Sequence, residues 1–94
     1  MPELRFEVRW PDDTITLCYS PSSTIRDAFT PGQPYPLADF VRRSQAALNL
    51  ASERVRQRYG YACSSAAHQL SEIERRASQY QTDPAATVTV IRFT

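Results

Sequence analysis

Residues 30–80 limit the fold more than any other stretch, because they carry two helical stripes with a glycine between them. Leu37, Phe40, Val41, Ser44, Leu48, Ala51 and Val55 recur every three or four residues. That spacing gathers side chains on one face of a helix. Gly60 stands where such a helix should stop, since glycine takes the left-handed backbone conformation at no steric cost. A second stripe follows in Ala66, Leu70, Ile73, Ala77 and Tyr80. The spacing predicts one helix over 36–59, with Pro36 at its first position, and another over 64–80. Each stripe has to be covered by another part of the chain.

The cover comes from both ends. Residues 3–10 alternate strictly: Leu4, Phe6, Val8 and Trp10 fall on one face, Arg5, Glu7 and Arg9 on the other. This is the pattern of a half-buried strand. Pro11, Asp12 and Asp13 form a turn, and a second strand is expected over 14–20, giving a hairpin. Its alternation predicts Ile15, Leu17 and Tyr19 on the core face, with Cys18 pointing away. Pro21 stops that strand, and residues 22–29 have room for one helical turn, with Thr24 as cap and Asp27 three residues on. Three prolines and a glycine within 30–36 exclude a helix or a central strand, so a fixed loop is expected there. Residues 86–93 are rich in valine and threonine and read as a third strand, its alternation ambiguous at Val90 and Ile91.

The order strand, strand, helix, helix, strand predicts an α+β fold. It is a two-layer sandwich in one domain, with the helical hairpin packed on a small, mostly antiparallel three-stranded sheet. Its open face should carry arginines and threonines, with Ile91 and Phe93 as candidates beside them. Such a sheet has two edges, and edges invite pairing, which makes a homodimer one expected partner arrangement. A chain of 94 residues is too short for two such domains.

Composition excludes several classes. The chain is 41% hydrophobic and 22% charged, which is ordinary for a globular protein. No apolar run approaches the ~20 residues that cross a bilayer, and MPELRFEVRW lacks the apolar core of a signal peptide. A cytoplasmic protein without a membrane partner is expected. The net charge of +1 provides no field to attract nucleic acid, although all 11 basic residues are arginine. Arg42, Arg43, Arg54 and Arg56 on the outer face of the first helix are interspersed with Glu53, as on a solvated surface.

Chemistry has few carriers. Cys63 precedes the second helix, and a helix N-terminus favours a thiolate. Ser64 and Ser65 can cap that helix or bind an anion there. His68 lies five residues beyond Cys63, about 500° of helical rotation, and so off its best shared face. Cys18 and Tyr19 could approach across the fold. These six residues are the candidate ligand or reactive site. Two cysteines and one histidine fall short of the four ligands of a zinc site, and two glycines make no phosphate loop. No metal or other cofactor is expected. A cysteine in such a place is commonly plain packing. Glu72 and Arg76, four apart, are expected to pair on the surface.

Four stretches carry a resemblance: MPELRFEVRWPD, CYSPSS, TPGQPYPLADF and SERVRQRYGYACSSA. Together they resemble a family of small bacterial nitrogen starvation response proteins of the mycobacterial type, over residue 1 to about 75. The resemblance implies a genomic setting beside a nitrilase and a role in acquiring nitrogen from nitriles or cyanide. It implies no reaction and no catalytic residue. Small size and an incomplete catalytic set favour a non-catalytic accessory protein with partners in the same pathway. The alternatives are a ligand binder or small enzyme using Cys63, and a nucleic-acid binder.

Overall fold

The computed structural model describes residues 3–60 and 64–94. The elements run β1 (Leu4–Arg9), β2 (Ile15–Ser20), α1 (Thr24–Ala28), β3 (Pro34–Pro36), α2 (Leu37–Tyr59), α3 (Ser64–Ser78) and β4 (Thr87–Phe93). The α+β class and the helical hairpin are as expected. The sheet, however, has four strands in the order β2-β1-β4-β3, every neighbouring pair antiparallel.

The additional strand comes from the proline-rich segment. Tyr35 pairs with Val88 at the sheet edge, with Pro34 and Pro36 on either side. Prolines lack an amide to donate, and an edge strand tolerates that. Burial of the Tyr35 ring holds the strand in place. The ring meets Phe29 edge-on at 5.3 Å, and its hydroxyl accepts a hydrogen bond from the Thr30 amide at 2.8 Å. Pro36 therefore ends β3, and the helix begins at Leu37 rather than at Pro36.

The hairpin reverses the expected faces of β2. Trp10 N–H donates to the Thr14 carbonyl at 2.8 Å and Asp13 N–H to the Trp10 carbonyl at 2.9 Å. Asp13 takes the left-handed conformation at φ 68°, which aspartate tolerates. The three-residue loop so formed sets Phe6 opposite Cys18 and Val8 opposite Thr16. Opposed residues share a sheet face, and a slip of one residue would invert them all. Cys18 and Ser20 are thus buried, while Ile15 and Leu17 remain 51% and 61% exposed. Local hydrophobicity yields to a register fixed by the turn.

A bulge settles the ambiguity in β4. Val8 faces Val90, but Glu7 faces Arg92, so Ile91 is the surplus residue. Phe93 consequently turns inward against Phe6, ring centroids 6.4 Å apart, instead of lying on the open face. Arg92 faces outward and pairs with Glu7 at 2.5 Å.

The core lies between the sheet and the helices, where Phe6, Val8, Ile25, Phe40, Leu48, Ile73, Val88 and Val90 are fully buried. Ring contacts of Phe40 with Trp10 at 5.5 Å and with Phe29 at 5.1 Å join the two layers. The short helix α1 is tied to α2 by Thr24, whose hydroxyl donates to the Ala47 carbonyl at 3.0 Å. Thr24 is not the cap; Ser23 holds that position, without a side-chain bond. Gly60 ends α2 at φ 82°, donating to the Arg56 carbonyl at 2.8 Å. The second helix ends at Ser78, with Gln79 and Tyr80 continuing in tighter turns onto Arg76 and Ala77.

Candidate functional site

The helix α3 lies beside the free edge of β2. The amide of Tyr19 points away from β1 and donates to Oε1 of Gln69 at 3.0 Å. Between strand and helix opens a cleft of about 350 Å³, lined among others by Trp10, Thr16, Cys18, His68, Ile73 and Arg76. Strand alternation supplies Thr16 and Cys18 from the core face, and Trp10 follows from the end of β1. Ile73 belongs to the buried stripe of α3, and Arg76 sits one turn further on.

The floor of the cleft is held in place by its own contacts. Trp10 Nε1 donates to Thr16 Oγ1 at 2.9 Å, and Thr16 Oγ1 lies 3.8 Å from Cys18 Sγ. The indole stacks on Tyr80 at 6.2 Å. On its other contact, the Arg76 guanidinium lies 5.9 Å from the ring centre, within cation–π range. Glu72 pairs with Arg75, not with Arg76 as the four-residue spacing suggested. Burial pushes the Cys18 thiol up to about 11, with the Thr16 hydroxyl opposing weakly. At neutral pH this sulfur is a neutral thiol without nucleophilic character.

The expected site residues are distributed as follows. Cys18 and His68 line the same cleft. Tyr19, Ser64, Ser65 and His68 line a shallower depression next to it, so His68 belongs to both. Cys63 lies outside the described residues, and the chemistry assigned to it is not addressed by this geometry. Among the described residues no group of three or more His, Cys, Asp or Glu side chains is placed to hold a metal ion.

Trp10, Gln69 and Arg76 were not singled out by the sequence. Alternation places Trp10 on the core face of β1, and it is core as well, at 2% exposure. The available signal for Arg76 was its position beside Ala77 and three residues after Ile73, at the margin of the buried stripe. Arginine there is set to bury its stem and to aim its head along the helix–strand seam.

These features define a small α+β protein whose helical hairpin covers one face of a four-stranded antiparallel sheet and leaves a cleft at one edge. The model of the family described as nitrogen starvation-induced protein NitG matches residues 5–93, and the chain belongs to that family. No curated protein and no solved structure matches it. Among the described residues, no helix is long and apolar enough to cross a membrane.

Proposed function

We propose that the chain is a non-catalytic accessory protein of the nitrogen-starvation response. It acts in the cytoplasm by docking on an enzyme that obtains nitrogen from nitriles or cyanide, a nitrilase first among them. The observation that carries this reading is the β2 edge. Ile15 and Leu17 stand 51% and 61% exposed on the sheet face opposite the helices. The strand Ile15–Ser20 holds no charge and no proline. Natural sheets guard their edges with charge, proline, bulges or a covering helix; β3 at the other edge carries two prolines, while α3 stands beside β2 and bonds it at Tyr19, across a cleft. Gln69 occupies one outward amide of β2, at Tyr19. By ladder alternation the amides of Ile15 and Leu17 aim the same way. An extended segment of a partner can add here as a further strand, its side chains meeting Ile15 and Leu17.

The test is to mix the purified protein with purified nitrilase and measure complex formation by native mass and calorimetry. A stoichiometric complex that Leu17→Arg abolishes is expected, because a charge at an apolar contact is expelled from the interface. Absence of a complex with the wild-type chain overturns the nitrilase assignment.

The same strand favours a homodimer as a second reading. Antiparallel pairing of two uncharged β2 strands about Leu17 would place Ile15 against Tyr19 of a second copy with no like-charge clash. A native mass of two chains, reduced to one by Leu17→Arg, is the expected outcome of that reading. A single-chain mass in the wild type excludes it.

A further inference from the structure

The cleft between β2 and α3 borders the docking edge, sharing Leu17 with it, and it has the make-up of a ligand site. We propose that it binds a small organic monocarboxylate, with Arg76 holding the carboxylate and Trp10 and Ile73 receiving the apolar body. Three observations carry this assignment.

The first concerns Arg76. Its Nε is fully buried and, like the neighbouring Tyr80 hydroxyl, has no partner at hydrogen-bond geometry among the described residues, although buried donors are almost always satisfied. An arginine presents a planar fork of donors that matches a carboxylate. Arg42, Arg43, Arg56, Arg75 and Arg92 each spend theirs on an acidic side chain. Among the described residues Arg76 forms no such pair, and Asp12 is an acidic group within its electrostatic reach. That carboxylate is held below its usual range chiefly by hydrogen bonds from the Thr14 side chain and backbone, and Arg76 contributes least.

The second is charge. Among the described residues, the ionised side chains lining the cleft are Glu72, Arg75 and Arg76. Glu72 and Arg75 neutralise each other, which leaves one positive charge beside an aromatic wall. One negative charge balances it; a dicarboxylate or a phosphate dianion would leave an excess in a partly desolvated site.

The third is shape. About 350 Å³ lies at the small end of ligand-site volumes. The edges of the largely buried indole, Ile73 and neutral Cys18 thiol, with the exposed Leu17 beside them, supply apolar walls. The Arg76 guanidinium stacks beside the indole, so the head group is oriented before a ligand arrives, which lowers the entropy cost of binding.

Trp10 is the only tryptophan in the chain, so fluorescence excited at wavelengths that tyrosine does not absorb reports on the indole at the floor of this cleft. The experiment titrates the purified wild-type protein with 3-methylbutanoate, and in parallel with 3-methylbutanamide, which has the same shape without the charge. A saturable fluorescence change is expected for the carboxylate, with the amide weaker by about tenfold or more. Arg76→Gln, checked for an unchanged circular dichroism spectrum, should lose the preference for the carboxylate. The wild-type comparison of acid and amide stands even if that variant does not fold. Equal response to acid and amide, or no saturable response to millimolar carboxylate, overturns the proposal. Neither titration contains a protein partner, so the result is independent of whether the β2 edge docks a nitrilase.

Discussion

Cys18 shows how a single side chain can carry a pH signature without being a reactive group. Burial raises its thiol to about 11 from an ordinary 9.0. Below the lower value both the folded and unfolded chains hold the proton, and the stabilisation is fully present. As pH rises between these two values the unfolded chain ionises first. Folding stability then falls by up to about 1.4 kcal/mol per pH unit. Urea unfolding at a series of pH values should show this loss in the wild type and a smaller loss in Cys18→Ala. Comparison of the two removes the contribution of Tyr80, whose hydroxyl is also pushed up, mainly by desolvation. Iodoacetamide should label Cys18 in the native chain far more slowly than in urea, since the sulfur is 3% exposed and protonated.

At the level of elements, Gly60 gives the sharpest expectation. Its φ of 82° requires the left-handed conformation, and a Cβ built there would meet nothing within 4 Å. The cost of Gly60→Ala is therefore backbone strain alone, about 1 kcal/mol, read as a lowered urea midpoint with an unchanged slope. This turn and the two helices around it were legible in the sequence because periodicity and a lone glycine are local signals. Strand β3 was not, since two prolines in three residues read as loop, and only the burial of Tyr35 against Phe29 reveals the edge strand. The faces of β2 are hidden from the sequence for a related reason. Register is a property of the pair, set by the loop at residues 11–13, while alternation within one strand says only that two faces exist. The bulge at Ile91 left its mark as a broken alternation, but its direction depended on β1. In the candidate site, Cys18, Tyr19, Ser64, Ser65 and His68 do lie along one seam. Arg76 was hidden by a surface pairing with Glu72 that the helix gives instead to Arg75.

At the scale of the molecule, the two faces of the sheet differ in what a substitution costs. Ile73→Ala, at 1% exposure between the layers, should lower stability by about 2–5 kcal/mol in urea unfolding. Leu17→Arg, on the uncovered face, should change it by no more than about 0.5 kcal/mol. Only the second is expected to alter association. Helices shield one side of the sheet, and the other bears Arg5, Glu7, Arg9, Ile15, Leu17 and Arg92 without contributing to the interior. The molecule therefore keeps two separate vocabularies, one inward that specifies folding and one outward that specifies company. Descendants of this chain can rewrite the outward one strand by strand, acquiring or losing associates while inheriting the same interior.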